Sequence, residues 1–468
     1  MKCRVVTAYL IFMVGVHVAR AADRPNLIAI CTDDQARWAM GAYGNSEIQT
    51  PHMDRIAAEG ALFLNAFCNT PVCSPSRATY LTGLWPSELK ITDWIHPNEA
   101  SQGVGLRANT WLEALQNDGY STAIIGKWHL GEQSQFHPTR KGFDYFMGFL
   151  AGGNRPMNPT LEVKGRVKKL KGSLPDLLTS DAIKWIGQQN SKKPFALCLH
   201  YRAPHGPFLP VLPKDSEPYQ SLAPQFVPRL KGLDADYVAR QHREYYSSVT
   251  SVDRNIGRLL KQLDDAGLTQ NTIVLFTSDH GYNLGRHYIS TKGNGIWQGG
   301  GRISGAPKRP NMWDTSLRVP LAIRWPGVTQ PGTRIKNVVS FIDFYRSMLG
   351  MVGVPMPKNS PARGVDFSPL LRGNEISNEQ YLYGQYDLHN SGLAYLRMVR
   401  SENLKYVRHF HSNDMDELYD LKTDPDETKN LLRRGGPPEK LKPEVTRMQT
   451  AMVKWMKSIN DPLLNDGY

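Results

Sequence analysis

The sequence predicts an α/β protein built on a large, mostly parallel sheet sandwiched by helices, with a smaller C-terminal antiparallel sheet plus helix. Three observations carry this expectation. From Asn26 onward, apolar runs of strand length alternate with amphipathic helical patterns, which is the pattern of a parallel sheet covered on both faces. The chain has 468 residues, more than a single core normally accommodates, so a second and smaller unit is expected. After Pro361 the texture changes to short aromatic-rich segments, which reads as antiparallel structure. The implied organisation is a leader over 1–21, a main domain over 22–361 and an α+β subdomain over 362–468.

The leader comes first. Lys2 and Arg4 precede the apolar run 5–18, and Ala19-Arg20-Ala21 offers a small-x-small cleavage site, so residues 1–21 read as a secretory signal and the protein as secreted or periplasmic. The run is short for a membrane span and no later segment approaches one, so no transmembrane segment is expected after cleavage. Strands are predicted over 26–31, 63–67, 122–125, 195–200, 272–276 and 319–325. Between the first two, Thr50-Pro51 opens a helix that Gly60 closes, and Asn109-Thr110 opens another that ends near Gly119. The longest helical pattern places Tyr245, Val249, Val252, Ile256, Leu259 and Leu263 on one stripe, the face that packs on the sheet. The stretch 293–311, rich in glycine and proline, reads as a surface insertion. In the C-terminal part, 381–386, 393–399, 404–409 and 417–421 are the strand candidates and 440–459 the final helix.

Charge and cysteine usage narrow the class. Three of the 56 Lys and Arg lie in the leader, so the remainder exceeds the 43 Asp and Glu by ten. A basic surface steers polyanions, although the charges read as dispersed, and no nucleic-acid-binding motif is present. Of five cysteines, Cys31 and Cys198 fall in apolar runs and Cys3 in the leader, so there is no disulfide framework.

Several residues stand where chemistry is done. Asp33 and Asp34 follow the first strand directly, and Asp279-His280 follows the strand 272–276, which places both groups at the carboxyl edge of a parallel sheet, where ligands bind. Loop carboxylates are as readily turn or cap residues, but acidic oxygens gathered from separate loops also suit a hard divalent cation. Cys73 precedes Pro75 at a helix start, where an anion is favoured, and Arg77 lies one helical turn on. Lys127 and His129 sit in Gly126-Lys127-Trp128-His129-Leu130-Gly131 at a strand end, and extended alternation would point both to one side. His205 lies in Ala203-Pro204-His205-Gly206-Pro207, after the strand 195–200.

The eleven positions from Cys73 to Gly83 have the pattern C-x-P-S-R-x-x-x-L-T-G and resemble the signature of the type I sulfatases, members of the alkaline phosphatase superfamily. The Lys127/His129 and His205 motifs and the tail Glu417–Leu421 with Asp424-Pro425 extend that resemblance over nearly the whole mature chain. The resemblance implies an alkaline-phosphatase-like fold and a hydrolase of sulfate monoesters of carbohydrate. It also implies that a formylglycine-generating maturation enzyme oxidises Cys73 to formylglycine, whose hydrate attacks sulfur with one hydroxyl and ejects sulfate through the other. By the same resemblance Asp33, Asp34, Asp279 and His280 hold one Ca2+ with residue 73 completing the shell. The sulfatases that resemble iduronate sulfatases carry histidine where many others have asparagine at the position of His280. Arg77 would hold the hydrated aldehyde, Lys127 and Lys292 the sulfate, His129 would take the second proton, and His205 would protonate the leaving alcohol. Lys308 is the alternative to Lys292.

Trp94, His96, Asn154, Arg155, Trp297 and His389 are aromatic or polar residues of rim loops suited to a sugar, each equally suited to ordinary surface packing. Two other readings stand beside the sulfatase. One is a phosphonate or phosphate monoester hydrolase of the same superfamily. The other, if Cys73 stays unmodified, is a non-catalytic protein that binds sulfated glycans.

Overall fold

The structure is a computed structural model that describes residues 24–190, 192–296, 309–377, 380–390, 392–411, 415–432 and 436–464. The leader, Trp297 and Lys308 therefore lie outside the described residues. Ten strands form the main sheet: β1 (Asn26–Asp33), β2 (Ala61–Phe67), β3 (Ser121–Lys127), β4 (Tyr145–Phe149), β5 (Thr160–Val163), β6 (Arg166–Lys169), β7 (Phe195–Pro204), β8 (Thr272–Ser278), β9 (Leu321–Arg324) and β10 (Thr333–Ser340). Their order is β10-β2-β9-β8-β1-β7-β3-β4-β5-β6. Four more, β11 (Leu382–Leu388), β12 (Ala394–Arg400), β13 (Leu404–His409) and β14 (Glu417–Asp420), pair antiparallel in a separate sheet.

The centre of the main sheet is as apolar as its sequence: every residue of β1, β7 and β8 is buried. Helices cover both faces. Helix α1 (Pro51–Ala58) and the long helix Ala235–Asp265 pack on one side, the latter through the fully buried stripe Tyr245, Val249, Val252, Ile256, Leu259 and Leu263. Helix α2 (Cys73–Thr82), which is buried throughout, lies with Trp111–Asn117 on the other, where Thr110 and Glu113 form a reciprocal N-terminal cap.

Four strands escape sequence reading, and one runs against expectation. β5, β6 and β10 are largely polar, and β4 is a short aromatic run interrupted by Gly148, so none shows a continuous apolar signal. β9 is antiparallel to both β8 and β2. That reversal has a consequence for the site, because an antiparallel neighbour needs no crossover to the far edge. The described parts of the connection, 279–296 and 309–320, lie at the carboxyl edge of the sheet. These parts are not a surface insertion: Gly293 donates to the Pro71 carbonyl, and the buried Asn311 side chain donates to the carbonyl of Lys292.

The C-terminal sheet is less separate than its topology. One of its faces contributes Leu382, Tyr386, Leu396, Met398 and Val407 to the same core as Phe63, Tyr80 and Phe341 of the main domain. Its other face is closed by the helix Lys442–Ser458.

Candidate active site

Strand register brings the acidic residues together. Thr32 lies opposite Ser278, so Asp33 and Asp34 leave β1 level with Asp279 and His280 leaving β8. On the other side Asp33 lies opposite Pro204, which sets His205 beside them. Lys127 is the last residue of β3, whose Gly126 pairs with His200 so closely that a Cβ at 126 would overlap the His200 carbonyl. The glycine of the Gly126-Lys127 pair is thus required by packing between strands.

Helix α2 begins at Cys73 and points its first turn at this group. The Cys73 Sγ lies 3.3 Å from Asp33 Oδ1, 3.4 Å from His280 Nε2 and 3.1 Å from Lys292 Nζ. Ligand atoms of Asp33, Asp34, Cys73 and His280 all fall within 4.8 Å of one another. Asp279 joins them through Oδ1, which is 3.3 Å from His280 Nε2 and accepts from the Asp34 amide at 3.1 Å. His280 Nδ1 faces the Gly281 carbonyl at 2.9 Å, so it carries the proton and leaves Nε2 bare toward the cluster.

Three cations neutralise the carboxylates. Lys127 Nζ is 2.6 Å from Asp33 Oδ2, Lys292 Nζ is 2.5 Å from Asp34 Oδ1, and Arg77 Nε donates to Asp279 Oδ2 at 2.9 Å. Burial alone would raise the carboxyl of Asp33, but Lys127 and then His205 and Arg77 hold it well below the usual carboxylate range. Lys292 acts likewise on Asp34, and the lysine in turn stays charged despite its burial. The Cys73 thiol is pushed up to about 12 by burial and by Asp33, so it is protonated at neutral pH.

The two further histidines differ in surroundings. His129 Nε2 donates to the Ile95 carbonyl at 3.2 Å, and its Nδ1 is buried with no partner. Burial, reinforced by Lys127, holds this ring neutral. Alternation does not place it: β3 ends at Lys127 and His129 adopts a left-handed backbone, φ 59°. His205 Nδ1 donates to the Gly206 carbonyl at 2.8 Å and presents Nε2 to Asp34 Oδ2 at 3.9 Å. Arg77 keeps Nη2 unpartnered and buried.

All of Asp33, Asp34, Cys73, Arg77, Lys127, His129, His205, Asp279, His280 and Lys292 thus converge on one edge of the sheet. Around them, Trp94 packs edge-on against His96, and His389 reaches across from the end of β11 to Glu99 at 2.8 Å. Asn154 is tied to the Thr160 carbonyl, and Arg155 is exposed. Sequence reading missed two supports. Gly152 lies against the His129 ring, where any Cβ would collide, and the buried His200 Nδ1 meets Arg77 Nη1 at 3.4 Å. The Gly152-Gly153 doublet was the available signal for the first; the second is a contact between β7 and α2 with no local pattern.

A ten-stranded, mostly parallel sheet with this edge is the alkaline-phosphatase-like architecture. A family model for sulfatases matches residues 25–354, and one for the C-terminal part of N-sulphoglucosamine sulphohydrolase matches 307–456. The chain belongs to the sulfatase family and is a sulfuric ester hydrolase. It is 30% identical to the steryl-sulfatase of Homo sapiens over 463 residues, covering 84% of this chain and 76% of that protein. It is 28% identical to the N-acetylglucosamine-6-O-sulfatase of Bacteroides thetaiotaomicron over 524 residues, covering 94% and 88%. A solved sulfatase-fold complex with its substrate D-glucosamine-2-N,6-O-disulfate superposes with a TM-score of 0.79 at 25% identity, covering 94% of this chain and 98% of that one.

Proposed function

We propose that the chain is an exported, calcium-dependent sulfatase that removes sulfate monoesters from carbohydrates through formylglycine at position 73, acting at chain ends. The observation that carries this is the position of Cys73, at the start of α2 and within 3.4 Å of Asp33, His280 and Lys292. Its Sγ stands in for a hydroxyl of the hydrated aldehyde. As a thiol held protonated by burial and by Asp33, the encoded residue is a weak nucleophile, which favours maturation by a formylglycine-generating enzyme. The carbohydrate substrate is supported by the glucosamine-sulfate relatives and by the Trp94, His96 and His389 rim. Export rests on the leader 1–21.

The donor set fits a hard divalent cation. Three carboxylates, each paired with one of Lys127, Lys292 and Arg77, supply the charged oxygen donors that calcium demands, and an imidazole with its free nitrogen turned inward adds a fourth donor. When bound, the ion supplies Lewis acidity at the sulfate oxygens and at residue 73. The chain's own residues do the remainder. Lys127 and Lys292 bind sulfate oxygens and offset the charge that develops on them. The unpartnered Nη2 of Arg77 holds a hydroxyl at position 73. His129, neutral with a bare Nδ1, accepts a proton. His205 commits its Nδ1 proton to the Gly206 carbonyl, so it acts as acid only when doubly protonated, a form that burial disfavours and that Asp34 and Asp33 favour; it then delivers the Nε2 proton to the departing alcohol.

The test combines mass and rate. The peptide carrying residue 73 should be lighter than its cysteine form by about 18 Da, the exchange of a thiol for an aldehyde, and turnover of an aryl sulfate should scale with that fraction. Full activity with the peptide wholly unmodified would sink the mechanism. A faster rate on aryl phosphates would move the chain to the phosphate and phosphonate hydrolases. Release of internal rather than terminal sulfate from a polysaccharide would refute the chain-end preference.

A further inference from the structure

Part of the positive charge of this protein is concentrated in one segment. Within Lys164–Lys171 stand Lys164, Arg166, Lys168, Lys169 and Lys171, with no acidic residue between them, in a chain whose whole formal net charge is +13. Residues Thr160–Val163 and Arg166–Lys169 form a hairpin, β5 and β6, and β6 is the outermost strand of the main sheet, exposed along its length. The acidic neighbour on the paired strand, Glu162, is engaged with His137, and the cations of β6 form no ion pair among the described residues.

The hairpin has a defined position. Lys169 pairs with Thr160, whose carbonyl holds the Asn154 side chain, and the loop behind Asn154 carries Gly152 against His129. The Lys168–Lys171 end therefore lies at the same edge of the sheet as the site. Three strand spacings separate β6 from β3 and its Lys127, about 14 Å. From Arg166 to Lys171 the extended chain covers about 17 Å, and the exposed Arg155 follows Asn154 in the loop between the two. Blunting a sheet edge against aggregation calls for a lysine or two on the edge strand. It does not call for the turn residue Lys164, for Lys171 beyond the strand, or for a run of eight residues without an acid, the nearby carboxylates being Glu162, engaged with His137, and Asp181 beside Lys164.

We infer that this hairpin is a second, non-catalytic binding surface for a sulfated polysaccharide, holding the chain beyond the sugar whose ester is cleaved. That the ligand is a sulfated glycan rests on the carbohydrate reading of the site; that the hairpin binds a polyanion rests on its own charge. Successive sulfates meet successive cations, and Lys168 and Lys169, projecting to opposite faces, let a chain cross the edge rather than lie on one side.

The experiment replaces Arg166, Lys168, Lys169 and Lys171 together with glutamine in the full chain, and compares a control in which the exposed Lys440, Lys442, Lys454 and Lys457 of the C-terminal helix region are replaced with glutamine. Kd for heparin as the probe polysaccharide should rise at least tenfold in the hairpin variant and less than threefold in the control. Turnover of an aryl sulfate should be unchanged in both, while KM for a sulfated polysaccharide rises with kcat kept. Equal losses in the two variants, or none in the hairpin variant, overturn the proposal. Loss of binding to vesicles of anionic phospholipid with heparin binding retained would also overturn it, in favour of a membrane partner. If the wild-type chain hydrolyses no sulfate ester, the catalytic reading fails, while the heparin isotherms still decide the hairpin.

Discussion

Residue 152 has no side chain, and the orientation of His129 depends on that. A Cβ at 152 would press on the Nε2 end of the imidazole, whereas a Cβ at 153 meets nothing within 4 Å. The backbone at neither position requires glycine, so the two alanine variants differ only in what they push. Gly152→Ala should lower kcat on an aryl sulfate by 10- to 100-fold, about 1.4 to 2.7 kcal/mol of barrier, with an unchanged far-UV spectrum. Gly153→Ala should be within a factor of two of wild type. A Gly152→Ala enzyme of full activity would remove His129 from the proton path.

At the scale of elements, one arginine ties the long helix Ala235–Asp265 to two neighbouring segments. Arg254 donates to Asp176, at the start of the helix Leu174–Ile186, with both oxygens at 2.8 Å, and to Asp215 at 2.7 and 2.9 Å. Burial alone would raise the Asp176 carboxyl, but the hydrogen bonds and charge of Arg254 lower it to about 2. A carboxyl depressed in the folded state contributes stability that is complete above the unfolded value, near 4, and is lost as pH falls toward 2. Screening at this partly exposed pair discounts the shift to about 1 kcal/mol. Arg254→Met should therefore lower the unfolding free energy from urea titration at pH 7 by about 1 kcal/mol, and the difference from wild type should shrink by pH 3. A constant difference across that range would mean the arginine acts by packing alone.

At the scale of the whole molecule, two dependencies follow from where the core and the carboxylates lie. The C-terminal sheet completes the same core that holds Phe63, Tyr80 and Phe341. Truncation after residue 361 should leave insoluble protein, and the full chain should melt in one transition by calorimetry. On the proposed metal assignment the acidic cluster would link stability to a cation, since anything bound only by the folded state stabilises it by mass action. Exhaustive chelation should abolish turnover and lower Tm by several degrees, and calcium should restore both. Unchanged rate and Tm after chelation, with no metal in the protein, would refute the ligand assignment.

The sequence by itself determined the central strands, the covering helices and the identity of the residues gathered at the edge. Each of these is written locally, in apolar runs, caps and short motifs such as Cys73–Gly83. The direction of β9 and the strands β4, β5, β6 and β10 were not legible, because edge or polar strands carry no continuous apolar signal and strand direction is set by the neighbour. The tertiary structure alone decided how Lys292 reaches Cys73, since that contact spans 219 residues and depends on β9 returning antiparallel. It alone placed Ile95 and Gly152 around His129, because a ring's orientation is fixed by what surrounds it in space. The five cations of the hairpin were always in the sequence. What made them a surface was the fold, which left β6 paired on one side and brought its end to the edge where the candidate site residues meet.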